Sequence, residues 1–153
     1  MGYSVIDVDV FTPLILPAEL EGTNYFELHA GEIAGPQRCW IPGSLCVRDS
    51  GFDFMCECFH AASTDFDYFE FVRFGPKEVD LLISEIQKFE TDLLGSKSRE
   101  VLFSRYASIY GTTIWKEVPE KAIAGPLLSL LAAVRNYAQG AINSGKPLWV
   151  LGM

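Results

Sequence analysis

Apolar residues recur at two different periods along this chain, and the changes of period outline its elements. Near the start, Ile6, Val8 and Val10 alternate with Asp7 and Asp9, which predicts a half-buried strand over Val5–Val10. Asn24–Ile33 predicts a second strand, Tyr25–Ile33, closed by Gly31 and Gly35-Pro36. Cys39-Trp40-Ile41 and Leu45-Cys46-Val47 form an interrupted third strand, Leu45–Val47 being its regular part, with a bend at Pro42-Gly43. Arg48-Asp49-Ser50-Gly51 carries hairpin-turn residues. Alternation then resumes over Phe52–Cys58 and runs on to His60. Phe52, Phe54, Cys56, Cys58 and His60 fall on one face, and Asp53, Met55, Glu57 and Phe59 on the other. Phe66–Phe74 gives one more strand. The loops within 45–74 are too short for crossovers, so this stretch predicts an antiparallel three-stranded meander.

After Gly75-Pro76 the period lengthens. Val79, Leu82, Ile83, Ile86, Phe89 and Leu93 make one stripe of a helix over Lys77–Leu94, with Lys77, Asp80, Glu85, Lys88 and Asp92 largely opposite. Ser98–Tyr110 fits a shorter helix, although its β-branched and aromatic residues fit a strand nearly as well, and Thr112–Trp115 reads as extended. The longest apolar pattern lies in Lys121–Ser144. No charge occurs between Lys121 and Arg135, and Leu127, Leu130, Leu131, Val134, Ala138 and Ala141 recur at helical spacing. The run is shorter than the roughly 20 apolar residues a membrane span needs, so it predicts a core helix, Pro126–Asn143, with proline in its first turn. Gly145-Lys146-Pro147 ends it, and Leu148–Leu151 forms a last short strand. The expected fold is α+β: a single domain over residues 1–153, with a mainly antiparallel sheet and two or three helices on one face. Ile83, Ile86, Leu127, Leu131 and Val134 belong in its core.

Charge narrows the partners. A net charge of −8 lacks the basic face that nucleic acid or an anionic membrane surface requires. The chain opens on a strand pattern without a basic n-region or long apolar stretch, so a cytoplasmic setting is expected. Cys39, Cys46, Cys56 and Cys58 are then reduced thiols acting as small apolar residues.

Cys56-Glu57-Cys58-Phe59-His60 is the stretch with most latent chemistry. On a strand, Cys56, Cys58 and His60 share a face at steps of about 6–7 Å, and Cys46 or Cys39 could complete a zinc set. That spacing is too wide to chelate comfortably, so free thiols, no metal and no cofactor are expected. An enzyme using Cys58 as nucleophile and His60 as base is the alternative. Against it, nothing like a helix N-terminus is expected to follow these cysteines and lower the thiol pKa. Serine-elbow, phosphate-loop and calcium-loop motifs are all missing from the sequence.

The remaining signal is a shift in composition. Asp49–Val72 holds six acids, seven Phe or Tyr residues and neither Lys nor Arg. A sheet covered on one face cannot hide all of these rings. Asp53, Glu57, Phe59, Asp67, Tyr68 and Glu70 are therefore the candidate surface for a basic partner protein, rings for affinity and carboxylates for steering. A structural subunit of a larger assembly is a further alternative.

This plan of a small acidic domain, an aromatic-rich meander and a Gly145-Lys146-Pro147-Leu148-Trp149-Val150-Leu151-Gly152-Met153 terminus resembles the immunity proteins that bacteria make against polymorphic or contact-dependent toxins. The resemblance is one of layout. It implies a non-enzymatic inhibitor that plugs the active-site cleft of a toxin domain.

Overall fold

The computed structural model describes residues 11–17, 20, 24–33, 38–95, 99–106 and 120–152. In chain order the elements are β1 (Leu14–Ile15), β2 (Tyr25–Ala30), β3 (Leu45–Arg48), α1 (Asp49–Phe52), α2 (Cys56–Ala62), β4 (Phe71–Phe74), α3 (Pro76–Leu94), α4 (Arg99–Tyr106), α5 (Glu120–Asn143) and β5 (Leu148–Leu151). The strands form one antiparallel sheet in the order β1-β3-β2-β5-β4. The fold is α+β, as the sequence patterns indicate. Among the described residues no helix is long and apolar enough to cross a membrane. The expected strand Val5–Val10 and the extended piece Thr112–Trp115 lie outside the described residues.

Register decides which side chains meet. Leu45, Leu28, Val150 and Val72 stand opposite one another across four strands and face the helices, as do Phe26, Val47, Leu148 and Phe74. Helix α3 contributes Val79, Leu82, Ile83, Ile86 and Phe89, and α5 contributes Ile123, Leu127, Leu130, Leu131, Val134 and Ala138. Ile83, Ile86, Leu127, Leu131 and Val134 are all buried, as their spacing predicts. Arg135 of α5 forks onto Glu90 of α3 at 2.7 and 3.2 Å, so the first charge after the apolar run becomes a half-buried tie between the two helices. Helix α5 starts at Glu120, not at Pro126, and holds Pro126 in its interior. Proline there forfeits one hydrogen bond, to the carbonyl four residues back. At the other end Gly145 has φ +65. The N–H groups of Gly145 and Lys146 donate to the carbonyls of Ile142 and Ala141, a Schellman closure that needs glycine's left-handed backbone.

The meander does not form. Phe52–Cys58 is no strand; it spans the end of α1, a turn and the start of α2. Alternation misleads here because both parities are inside: Phe52, Asp53, Phe54, Met55, Cys56, Cys58 and Phe59 are all buried. The same stretch also carries buried residues at 52, 55, 56, 59 and 62, a helical spacing, and burial against the sheet overrides the β-preference of phenylalanine. Asp49-Ser50-Gly51 accordingly opens α1 rather than a hairpin. Of Phe66–Phe74 only Phe71–Phe74 pairs, and its neighbour is β5. The preceding residues are bent by their own polar side chains. Ser63 Oγ accepts from Asp65 N–H at 3.2 Å, and Asp67 Oδ1 accepts from Phe69 N–H at 2.9 Å. Cys39-Trp40-Ile41 is loop, and Tyr25–Ile33 shortens to Tyr25–Ala30, stopped at Gly31 with φ +128. The ambiguous Ser98–Tyr110 contains the helix Arg99–Tyr106.

What seats α1 and α2 on the sheet is a cluster of rings. Phe26 of β2 stacks on Phe52 with centroids 3.8 Å apart and planes 9° apart, and Phe52 meets Phe59, which meets Phe66 and Phe74. Deleting the Phe52 ring removes the centre of this cluster. Phe52→Ala should cost about 3–5 kcal/mol of unfolding free energy, and Phe52→Leu should cost less. Denaturant melts would contradict this if the alanine variant were as stable as the parent.

Candidate functional site

The sheet face away from the helices is the first place where polar and aromatic groups converge. Leu14, Cys46, Glu27, Leu151 and Phe71 are in register across all five strands, so they share that outer face. Glu27 is only 2% exposed. A carboxylate so buried needs donors, and it has two: the backbone N–H groups of Trp40 at 2.6 Å and Ile41 at 2.8 Å. These bonds hold the 38–43 loop over the sheet. Tyr137 of α5 secures the same loop from its end, its hydroxyl donating to the Gly43 carbonyl at 2.8 Å and accepting from Ala30 N–H at 3.0 Å. Between loop and strands lies a cleft of about 250 Å³, lined by Tyr25, Glu27, Cys39, Trp40, Phe71, Leu151 and Gly152. A larger concavity of about 410 Å³ lies between α3 and α4. Its carboxylate, Asp92, is already held by Arg105 and Tyr106.

The sequence candidates separate into three groups. Asp67 and Glu70 are exposed on the turns before β4, where the surface also carries Phe69, 63% exposed, and Phe71, 45% exposed. Asp53 and Phe59 are inside, at 5% and 0% exposure, so neither belongs to a surface. The outward placement of Phe59 rested on strand alternation, and the α2 helix turns that ring into the core. Asp53 instead accepts a hydrogen bond from the half-buried Tyr68 hydroxyl at 2.7 Å, which ties α1 to the turn before β4. Burial and that carboxylate push the Tyr68 hydroxyl above its ordinary pKa. Glu57 is half-buried on α2. Sequence reasoning missed Glu27 and Trp40. The available signal was a single acid within the otherwise apolar Tyr25-Phe26-Glu27-Leu28, since a charge at a buried strand position needs a partner.

On α2 the change from strand to helix redistributes the chemistry of 56–60. Cys58 and His60, two residues apart, point to different sides: Cys58 into the core and His60 to solvent. Burial is the chief cause that raises the Cys58 thiol. No Cys58–His60 nucleophile pair is formed. Cys56 and His60, four apart, come onto one face with Glu57 between them, and their donor atoms all lie within 4.8 Å of one another. All four cysteines are free thiols.

Comparison with protein-family models, with curated proteins and with solved structures finds no match.

Two outcomes follow from the outer face. The Tyr25 hydroxyl is buried and has no hydrogen-bond partner among the described residues. An unpaired buried hydroxyl costs about 1–3 kcal/mol, so Tyr25→Phe should leave the melting temperature unchanged or raise it. A clear fall would mean that the hydroxyl is paired. His29, bonded through Nδ1 to Ser44 Oγ at 2.9 Å, has its pKa lowered mainly by desolvation. The Lys146 charge lowers it further, while Glu27 pulls the other way. With the folded value depressed, the unfolded chain binds more protons. This contribution is therefore full above the ordinary value of about 6.5 and is lost as pH falls through the folded value. Between about pH 7 and pH 5, His29→Gln should lose less stability than the parent. Calorimetry at matched ionic strength reads the difference, and parallel curves would count against it.

Proposed function

We propose that this protein is a non-enzymatic binding module that captures a basic partner protein through the surface at the start of β4. The observation that carries this reading is the exposure of Phe69 and Phe71 beside the carboxylates of Asp67 and Glu70. Large rings in water cost free energy unless a partner covers them, and desolvated aromatics carry much of the energy of protein interfaces. The surrounding sequence supplies the charge: Asp49–Val72 has no Lys or Arg to neutralise its acids. Such a field raises the encounter rate with a basic partner and suppresses acidic competitors. Trp40, 38% exposed at the mouth of the adjoining cleft, extends the apolar area. The partner class is that implied by the likeness to immunity proteins, a basic toxin domain whose cleft this surface would block. An enzyme based on Cys58 and His60 has no support from geometry, because the two side chains diverge.

The test is capture from a lysate of the source cell on immobilised protein, eluted by a salt gradient and read by mass spectrometry. The specific partner is the one lost in a Phe69→Ala column and kept in a Lys88→Glu column, since Lys88 lies away on α3. With that partner purified, Phe69→Ala should weaken binding by about 2 kcal/mol or more, roughly 30-fold. Asp67→Lys combined with Glu70→Lys should slow association and flatten its salt dependence, because exposed charges are screened over about 10 Å at 0.1 M. A basic partner bound as well by Phe69→Ala and by the Asp67→Lys, Glu70→Lys double variant as by the parent would show that this surface is not the one used.

A further inference from the structure

We propose that Cys56, Glu57 and His60 form a binding site for a thiophilic divalent metal ion, zinc by preference. It is independent of the binding surface proposed above. On a strand these residues would be spread along the chain, whereas one turn of α2 gathers a thiol, a carboxylate and an imidazole with donor atoms no more than 4.8 Å apart. Tetrahedral zinc with bonds of 2.0–2.3 Å sets its ligands about 3.3–3.8 Å apart. Closing the difference asks only for rotamer adjustment of Glu57, which is half-buried, and His60, which is exposed. Cys56 sits at the buried edge, 1% exposed, and supplies a fixed anchor.

Three further observations point to a cation. Among the described residues, neither Glu57 nor the Cys56 thiol has a hydrogen-bond or ion-pair partner, and His60 makes only an edge contact with the Phe66 ring at 4.7 Å. No Lys or Arg occurs between Asp49 and Val72. The Glu57 and Asp53 carboxylates set negative charge beside the Cys56 thiol, a field that favours a cation there. A metal offsets that charge: on binding, the thiol gives its proton to solvent and the thiolate is neutralised by the ion. The donor set selects the metal. Thiolate and imidazole exclude magnesium and calcium as good fits and suit zinc. Three protein ligands leave a fourth position for water, the arrangement of an open rather than a closed zinc site.

The test uses the intact protein, stripped with chelator and titrated with Zn²⁺ against a chromophoric competitor and separately with Co²⁺. One equivalent should bind, with a thiolate-to-cobalt charge-transfer absorption and release of a proton. Losing an outer-shell partner of a metal site costs about 10–100-fold in affinity, so losing a ligand should cost at least as much. His60→Ala and Glu57→Gln, on solvent-facing and half-buried side chains, should therefore each weaken binding by at least that factor while leaving the circular dichroism unchanged. Cys56→Ala should abolish the charge-transfer band, and Cys39→Ser should keep it. The proposal is overturned by the lack of saturable one-to-one binding, by undiminished affinity in His60→Ala, or by a charge-transfer band that survives loss of Cys56.

Discussion

The central strand β2 is hydrogen-bonded on both edges and covered on both faces, and its two faces make opposite demands. One presents Phe26 and Leu28, which need apolar cover and receive it from the Phe52 ring and the α5 helix side of the core. The other presents Tyr25, Glu27 and His29. Burying the Glu27 carboxylate without donors would cost several kcal/mol, so a backbone segment must be brought to it, and the 38–43 loop supplies two N–H groups. The placement of the loop and the cleft beneath Trp40 thus both trace to one charge at one strand position.

The same register explains why α3 and α5 lie together on the inner face. Leu148 and Val150 of β5 and Val72 and Phe74 of β4 extend the apolar face begun by β2 and β3. Two long helices with continuous stripes can then share one layer. Their sequences announced this, because a stripe of six apolar positions sustained at helical spacing has no competing strand reading. The antiparallel expectation rested on the short loops of a 45–74 meander that does not form; the sheet is antiparallel because β2 pairs in that sense with β3 and β5.

Residues 49–70 were not legible, and the reason is physical. A period-two pattern identifies a strand only when one face is wet. Here Phe52, Phe54, Met55, Cys56, Cys58 and Phe59 are all enclosed by sheet and helix, so alternation carried no information about secondary structure. Acids in such a stretch were read as surface charges, and for Asp67 and Glu70 the structure agrees. Asp53 is the exception, because Tyr68 supplies a hydrogen bond that sequence separation conceals. Composition marked the stretch as acidic and aromatic; it could not assign its side chains to inside and outside.

That misread segment connects the two candidate sites mechanically. Asp53 precedes α2, and its bond to Tyr68 fixes the turn that carries Phe69, whose ring packs against Tyr68 at 5.0 Å. From the other side, Gly152 donates its N–H to the Glu70 carbonyl at 3.0 Å, and a Cβ there would collide with the Tyr68 carbonyl. The backbone that presents Phe69, Glu70 and Phe71 is therefore clamped between α1 and the end of β5 instead of hanging free. For the binding role proposed above, clamping would be an advantage, since rings already fixed in place lose less freedom on binding and more of their contact energy appears as affinity. Helix α2 is packed on the same Phe52–Phe59–Phe66 cluster. The cluster of Cys56, Glu57 and His60 and the surface at β4 are thus held by one rigid aromatic support, although neither needs the other for its own chemistry.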